Sequence, residues 1–384
     1  METIQTDINQ PVSPAVDVGI SPLEDNLKLE TATQWQLMWW KFRKHKLAMV
    51  GGIVVLSFYL IAIFADFLAP RSIDYYNAKF ADYVPPQGIH LIQNGQLQPY
   101  VDSYKFVRDP KSYKRVWSID EENHIPMGFF VHGESYQLLG LFATDIHLIG
   151  PTNADDPFYL FGADKLGRDI FSRIIYSSRI SLSVGLVGVF LSLMIGIILG
   201  GISGLKGGVY DDIIQRLIEI FMSIPTLPIL IAFAAFVPLD WSVVQVYFVV
   251  TLLLALVNWT GLARVVRSKF LALREEDFVM AARLDGARSR RLIVRHMLPS
   301  FYSHIIASLT LALPGTIIAE TALSFLGVGL RPPAVSWGVM LQDAQQVAII
   351  ANHPWLMYPG LVVIVIVLAF NFFGDGLRDA ADPY

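Results

Sequence analysis

The sequence predicts an all-α polytopic membrane protein with six transmembrane helices and a small, mostly β insert on its outer side. Only 16% of the 384 residues are charged, whereas a soluble domain carries roughly 25%, and the mean hydropathy is +0.48. The charges are also segregated, leaving six apolar stretches of about 20 residues or more, enough to cross ~30 Å of hydrocarbon as helices. These stretches are 47–69, 180–205, 217–238, 241–263, 305–330 and 355–374. The pattern excludes a soluble domain, a disordered chain and a nucleic-acid-binding protein, and predicts that the chain lies in a lipid bilayer.

The distribution of basic residues predicts that both termini are cytoplasmic. A basic cluster stands directly before the first apolar stretch: Lys41, Arg43, Lys44 and Lys46. No basic residue follows that stretch before Arg71, and cytoplasmic loops carry the excess of lysine and arginine. The arginine-rich segment 264–298, after the fourth stretch, agrees with this orientation. Six crossings return the C-terminus to the cytoplasm.

The segments that flank the apolar stretches have distinct compositions. Residues 1–30 are polar and acidic, unlike a cleaved signal peptide, and are predicted to be a disordered cytoplasmic tail; 375–384 form a second, short tail. Tryptophans beside the basic cluster predict an interfacial amphipathic helix over 31–46. Helically spaced apolar residues with four basic ones predict another over 163–179, at the outer interface. The alternative for both is a plain flanking loop.

The long segment between the first two apolar stretches, 70–160, is rich in Tyr, Pro, Asp and Asn. Short apolar alternations predict strands at His90–Ile92, Tyr136–Phe142 and His147–Ile149, and the Asn94-Gly95 pair predicts a hairpin turn. We therefore expect a small extracytoplasmic domain. It is either a docking or gating element for an external partner or a structural cap, and the sequence leaves both open.

The sequence lacks the residue patterns that are typical of catalytic and metal-binding sites. The chain has no cysteine, which excludes thiolate catalysis and thiolate metal sites, and it has no recognisable catalytic or nucleotide-binding motif. The spacing of His124, His132 and His147 in the insert matches no metal-ligand template. We therefore expect no catalytic residue, no metal site and no cofactor bound by this chain.

Small residues and prolines mark where the apolar helices pack or break. Gly196 and Gly200 form a GxxxG pair, which allows two helix backbones to approach closely. Pro225 and Pro228 interrupt the third apolar stretch, and Pro314 interrupts the fifth. Broken helices free backbone carbonyls, which are tolerated where protein or an aqueous cavity satisfies them. The prolines are therefore candidates for a translocation pathway or for helix packing.

Glu320 lies deepest in its apolar stretch among the acidic residues. A carboxylate in hydrocarbon is costly, so its presence predicts either a role in a pathway or a hydrogen bond between helices. The acids of the other stretches, Asp66 and Glu219, lie near stretch ends, where a side chain can reach water.

The segment 264–298 is predicted to form two cytoplasmic helices, the first ending at Gly286 and the second stopped at Pro299. The first helix places Phe278, Ala281 and Ala282 on one compact face. A short helix of this kind can lie in a groove on another protein. The alternative is an ordinary positively charged inner loop.

The run from Ala281-Ala282 through Gly286 to Leu298-Pro299 resembles the EAA loop of ABC importer permeases. In that family the loop inserts a coupling helix into a cleft of the ATPase subunit. Met280 stands where the EAA motif usually has its acid, so no carboxylate role is implied at this position.

Three further motifs are similar to those of the dipeptide/oligopeptide branch, in particular its C-type permease. The segment 161–169 (FGADKLGRD) resembles the motif ahead of the second span, 319–327 (AETALSFLG) resembles the signature of the fifth span, and 374–379 (GDGLRD) resembles the C-terminal ending. The resemblance covers 31–69 and 161–384. The insert is longer than the usual first outer loop, so the resemblance implies nothing about its role.

The resemblance implies one half of a heterodimeric channel in a bacterial inner membrane. Its implied partners are a second six-span permease, two cytoplasmic ATPases that bind ATP and Mg²⁺, and an external binding protein. The implied activity is uptake of peptides by alternating access, with no hydrolysis by this chain. Oligosaccharides or a nickel chelate are alternative substrates, and a stand-alone secondary transporter is a less favoured alternative.

The resemblance also implies two sets of functional residues in this chain. The coupling set is Glu276, Asp277, Ala281, Ala282, Gly286, Arg288, His296, Leu298 and Pro299. The motif ahead of the second span supplies Gly162, Asp164, Leu166, Gly167, Arg168 and Asp169.

Overall fold

The computed structural model describes residues 33–93, 95–111 and 115–381. The predicted disordered tail, 1–30, lies outside the described residues. The α-helices used below are α1 Gln34–Lys44, α2 Lys46–Ile63, α3 Ala65–Leu68, α4 Ile170–Lys206, α5 Gly208–Ser223, α6 Thr226–Ala234, α7 Val243–Leu273, α8 Asp277–Leu284, α9 Tyr302–Phe325, α10 Trp337–Met340, α11 Val347–Asn352 and α12 Tyr358–Ala381. Residues 289–301 form short α, π and 3-10 turns that lead into α9.

Five helical segments are long and apolar enough to cross a membrane, and a bent pair raises the number to as many as six. The five are α2, α4, α7, α9 with its preceding turns, and α12. The bent pair is α5 and α6, which meet at 87°. Pro225 explains the bend, because it lacks an amide N–H and favours the extended backbone seen at Ile224. Pro228 interrupts nothing, since it lies in the first turn of α6, where helical N–H groups are unpaired anyway.

The predicted apolar stretches coincide with these helices, but several helices begin or end at other residues than predicted. The third helical region begins at Gly208 rather than 217, and α4 begins at Ile170 rather than 180. α7 continues to Leu273 past 263, and α12 continues to Ala381 past 374, whereas α9 stops at Phe325 before 330. The extensions contain charged residues, which a hydropathy criterion excludes but a helix accommodates where it leaves the hydrocarbon.

α4 is the central helix of the bundle and packs against α2, α7 and α9. The expected close approach is present at its glycines. A Cβ atom added to Gly196 would lie 3.0 Å from Leu262 Cβ, and one added to Gly200 would lie 2.4 Å from the carbonyl oxygen of Ala263. Glycine is therefore required where α4 crosses α7, because any side chain would push the two backbones apart.

The helix predicted over 31–46 forms as α1, with Thr33 and Gln36 capping its N-terminus reciprocally. It packs on α12, where the rings of Phe42 and Phe373 lie 5.6 Å apart. Its tryptophans Trp35, Trp39 and Trp40 are exposed. Apolar surface on a basic helix suits the predicted interfacial position.

The insert contains the predicted antiparallel sheet, with strands β1 Ile89–Gln93, β2 Gln96–Arg108, β3 Arg115–Leu138 and β4 Phe142–Pro151 in that order. The long β3 pairs with β2 along its first half and with β4 along its second half. The predicted strand Tyr136–Phe142 is wrong, because residues 139–141 are the turn between β3 and β4. The predicted turn at Asn94-Gly95 falls between β1 and β2, with Asn94 itself outside the described residues.

Polar contacts hold the insert together and join it to the start of α4. Within the insert, the Gln87 side chain donates to the carbonyl oxygens of Asp102 (2.9 Å) and Pro157 (3.0 Å). The Arg71 backbone N–H donates to Ser172 Oγ of α4 (3.1 Å). The insert is therefore part of the packed structure and not a separate domain on a flexible linker.

We expect Gly200→Ala to lower the free energy of unfolding by roughly 1–3 kcal/mol, the usual cost of overpacking a tight contact. The matched control is Gly261→Ala on α7, where an added Cβ atom would meet no heavy atom within 4 Å. The control should be neutral or slightly stabilising, because alanine is favoured over glycine in helices by about 1 kcal/mol. The measurement is the thermal unfolding midpoint of the purified protein in detergent. Equal midpoints for the two variants would show that the α4–α7 contact is not tight.

Candidate functional site

The predicted coupling segment contains a short separate helix, α8, bounded by two turns. α7 ends at Leu273, and α8 begins after Glu276, with Asp277 in its first turn and Arg283 in its last. Both charges complement the helix dipole. Gly286 ends the helical turn with φ +80°, a conformation that glycine adopts without strain, and the Ala287 N–H donates to the carbonyl oxygen of Ala282 (3.0 Å).

α8 has one face against its own bundle and one face exposed. Val279 and Ala282 are buried, whereas Phe278, Ala281 and Leu284 are exposed, Leu284 by 88%. The expectation that Phe278, Ala281 and Ala282 share one face is therefore wrong for Ala282, which points into the bundle. Glu276 and Asp277 lie on the surface with the exposed set. The exposed face of α8, defined by Phe278, Ala281 and Leu284, is thus apolar with acidic residues at one end.

The second predicted helix of this segment does not stop at Pro299. Arg288 is exposed and precedes the turns of 289–301, which continue into α9. Pro299 lies in the first turn of a 3-10 segment, where its missing N–H breaks no helical bond. Leu298 is buried and His296 is partly exposed. Leu298 therefore belongs to the core, while Arg288 and His296 remain near the surface.

The core cluster behind α8 joins it to two long helices. Val279 and Ala282 pack with Phe270 of α7, with Leu292 and Met297 of the connecting turns, and with residues at the start of α9. A displacement of α8 would therefore move the adjoining ends of α7 and α9, because a close-packed core transmits strain.

The motif ahead of the second span forms a tight turn at the other end of the bundle. The Asp164 carboxylate accepts hydrogen bonds from the backbone N–H of Leu166 (2.9 Å), from that of Arg168 (3.1 Å), and from Arg168 Nε (2.6 Å). Gly167 has φ +75°, and an added Cβ would lie 2.4 Å from the carbonyl oxygen of Asn77. The turn therefore holds the start of the insert against the start of α4.

Two more residues of this motif complete the turn. Gly162 has φ +81°, and an added Cβ would lie 2.7 Å from the carbonyl oxygen of Val84. Asp169 caps α4 by accepting from the backbone N–H of Ser172 (2.7 Å), and burial raises the pKa of Asp169 to about 6. Leu166 is 53% exposed. All the predicted motif residues thus lie in one turn, which joins the insert to α4.

The predicted interfacial helix over 163–179 is wrong. Residues 163–169 form the turn just described, and the rest is the first part of α4. Its apolar residues Ile170 and Ile174 are buried against Tyr83 of the insert and Trp355 of the segment before α12. The stripe that suggested a lipid contact is covered by protein, which hydropathy alone cannot distinguish.

Glu320 forms hydrogen bonds between helices. It is fully buried in α9, and its carboxylate accepts from Ser324 Oγ (2.8 Å) and from Ser181 Oγ of α4 (3.3 Å). Ser181 in turn accepts from the backbone N–H of Trp337 (3.2 Å) and Ser324 from that of Leu330 (3.1 Å). This network joins α4, α9 and the segment 330–337, which favours the predicted helix–helix bond over a pathway role.

Pro314 is buried within α9 and does not break it, contrary to expectation. A proline removes one backbone hydrogen bond, but α9 is packed between α4 and α12, and neighbouring helices hold such a helix in register.

Two ion pairs that the sequence reasoning missed lie at opposite ends of the bundle. Arg267 of α7 donates to Asp211 of α5 through Nε and Nη2, both at 2.6 Å, and Ser203 Oγ of α4 donates to the same carboxylate. Arg179 of α4 donates to Asp66 of α3 at 2.6 Å. Each acid and each arginine lies at or near the edge of an apolar stretch, a signal that could have marked them as candidates for ion pairs without giving the pairing.

The three histidines of the insert have separate environments. His132 Nδ1 lies 2.9 Å from Asp145, the His147 nitrogens face the carbonyl oxygens of Ala69 and Glu134, and the His124 ring lies 4.6 Å from the ring of Tyr100. In the part of the chain that the structure describes, no group of three or more metal-binding side chains occurs.

Comparison with known proteins gives the family. Residues 193–384 match the binding-protein-dependent transport system inner membrane component, and residues 33–86 match the N-terminal TM domain of oligopeptide transport permease C. The chain belongs to the first of these families. As a binding-protein-dependent transport permease it is an inner membrane component, in agreement with its apolar helices.

Relatives of this permease extend over nearly the whole chain. The dipeptide transport system permease protein DppC of Bacillus subtilis is 31% identical over 360 residues, covering 94% of this chain and 88% of the relative. DppC of Alkalihalophilus pseudofirmus is 33% identical over 363 residues, covering 94% and 93%. A putative peptide permease of Brucella ovis is 41% identical over 241 residues, covering 62% of this chain and 78% of the relative.

We expect the Arg267–Asp211 pair to stabilise the permease. Asp211→Asn should lower the free energy of unfolding by roughly 1–3 kcal/mol, because it leaves a charge-assisted bidentate bond incomplete. Combining it with Arg267→Gln should cost less than the sum of the single changes. The control is Glu219→Gln, whose exposed pair with Arg216 should be worth no more than about 0.5 kcal/mol. Additive losses in a thermal-unfolding double-mutant cycle would contradict the coupling.

Proposed function

We propose that this permease is the C-type subunit of an ATP-driven importer that takes up peptides. The peptide permeases among its relatives favour this substrate, and the exposed face of α8 is the observation that carries the mechanism. In this proposal the chain forms half of the channel and hydrolyses nothing. It binds no cofactor, and ATP and Mg²⁺ are held by partner subunits.

The partners in this proposal follow from the family to which the chain belongs. A second six-span permease completes the channel as a heterodimer, two ATPase subunits lie against the cytoplasmic side, and an external binding protein delivers the substrate. In this proposal the bent pair α5–α6 is the sixth span, so that both termini lie on the same side of the membrane, the cytoplasmic side. The basic cluster before α2 and the arginines around α8 support this orientation.

The exposed face of α8 has the properties of a surface that docks into a groove. Phe278 and Leu284 expose large apolar side chains on a cytoplasmic loop otherwise rich in arginine. Exposed apolar groups on a short helix are the usual anchors of helix-in-groove binding. In this proposal the groove belongs to the ATPase subunit.

The buried face of α8 connects that docking to the channel. Val279 and Ala282 are packed on residues of both α7 and the segment leading into α9. Closure of the ATPases can shift the equilibrium between two conformations of the permease only by the difference in their affinity for those conformations. In this proposal, the packing of α8 against two long helices couples that difference in affinity to a movement of the helices that line the pathway.

We expect Ala281→Arg to abolish ATP-driven uptake while leaving membrane insertion and assembly with the sister permease intact. Ala281 is exposed in the centre of the docking face, so an arginine there would block the groove without disturbing the core. The control is Ala351→Arg, the same change at an exposed position of α11. The measurement is peptide uptake into vesicles with copurified ATPase determined in parallel. Unchanged uptake in Ala281→Arg would contradict a docking role for α8.

The substrate and the assembly can be tested together by purifying the chain from its native membrane in mild detergent. Copurification of a second permease and two ATPase polypeptides, or one in two copies, supports the importer. Screening the associated binding protein against peptides, oligosaccharides and nickel chelates then assigns the substrate. A transport-active oligomer of this chain alone would favour a secondary transporter.

A further inference from the structure

The turn between β3 and β4 is apolar, where hairpin turns are usually polar. Residues 137–144 contain no charged side chain. Leu139, Leu141 and Phe142 are 53%, 76% and 67% exposed. Tight hairpin turns are ordinarily built from glycine, asparagine and aspartate. Large apolar side chains exposed together mark a surface that meets protein or membrane.

The β3–β4 hairpin runs beside the outer end of the first membrane helix. Near its base, His147 Nδ1 lies 2.6 Å from the carbonyl oxygen of Ala69. Next to it, the rings of Phe130 and Phe67 lie 6.1 Å apart. These contacts place the hairpin against α3, the short helix that follows α2.

The contacts of β4 give the direction of the hairpin. Just beyond its base, the Arg71 guanidinium donates to the carbonyl oxygen of Ala154. A Cβ atom added to Gly150 would lie 3.6 Å from Pro70 Cβ, and His147, three residues closer to the turn, contacts Ala69. From base to turn the chain therefore passes Arg71, then Pro70, then Ala69, in the direction of α2. It points from the outer surface toward the interior of the membrane.

The depth of the turn can be estimated from strand and helix geometry. The turn at 139–141 lies roughly 17 Å beyond His147, at about 3.3 Å per residue of strand. The same distance spans roughly 11 residues of helix, which from Ala69 brings the turn level with the second half of α2. On that part of α2, Leu56, Leu60 and Ile63 are 60%, 45% and 47% exposed, as expected of a surface that faces lipid.

The backbone of the turn is also suited to an apolar medium. The Gly140 N–H donates to the carbonyl oxygen of Gln137 (3.2 Å), and the Leu141 N–H donates to that of Leu138 (3.0 Å). Backbone groups that enter hydrocarbon must be satisfied internally. The nearest charged side chain after the turn, Asp145, is paired with His132.

We propose that the turn 137–144 inserts into the outer leaflet of the bilayer beside α2. The insert is then held from two sides: by its contacts with α3 and α4, and by lipid around Leu139, Leu141 and Phe142. The partner of this surface is the acyl region of the membrane and not another subunit.

The test uses site-directed spin labels, which the absence of cysteine in this chain makes specific. Leu139→Cys, Leu141→Cys and Phe142→Cys are labelled in the intact transporter, reconstituted in phosphatidylethanolamine–phosphatidylglycerol vesicles. The matched control is Leu97→Cys, an 80% exposed position of β2 away from the turn. Electron paramagnetic resonance then compares accessibility to oxygen, which concentrates in lipid, with accessibility to a water-soluble nickel chelate. The unmodified transporter, treated identically, corrects for cysteines of other subunits.

We expect the oxygen-to-nickel accessibility ratio at 141 and 142 to exceed that at 97 at least fivefold. A ratio equal to that at 97 would place the turn in water and overturn the proposal. Protection from both reagents would place the turn against another protein and overturn it equally. Labels at three positions guard against one variant that fails to fold. The measurement needs neither substrate nor ATP, so failure of the peptide-import proposal would leave its result unchanged.

Discussion

The close contact between the backbones of α4 and α7 is the constraint on which the rest of the structure depends. Gly196 and Gly200 let the two helices approach until only backbone and Cβ atoms separate them. In lipid no hydrophobic force drives helices together, so such packing and interhelical hydrogen bonds must supply the association. α2 and α9 then pack on the remaining faces of α4, and α12 covers both.

Polar groups fix the ends of this bundle. Glu320 links α9 to α4 and, through Ser181 and Ser324, to the segment 330–337, while Asp211 links α5 to α7 at the opposite end. Buried hydrogen bonds specify one arrangement, because any other would leave the charged group unsatisfied. The two ends of the bundle are therefore rigid, and α8 is attached to one of them and the insert to the other.

Several structural features could be predicted from the residues alone, and the wrong predictions share one cause. The apolar stretches, the break at Pro225, a close backbone approach at Gly196 and Gly200, and the strands of the insert were all predictable from local composition. The expected breaks at Pro314 and Pro299 were wrong, because flanking structure determines whether a proline ends a helix. The expected interfacial helix at 163–179 was wrong, because the insert covers Ile170 and Ile174.

By itself, the sequence determined that this chain is a bundle of membrane helices, where its charged loops lie and which motifs it shares with its family. These properties are local, since hydropathy and motif identity depend only on neighbouring residues. Only the tertiary structure decided that Ala282 faces the core while Ala281 faces outward, and that the β3–β4 hairpin packs against α3. Such choices depend on which surfaces the rest of the chain covers, and residues distant in sequence make that coverage.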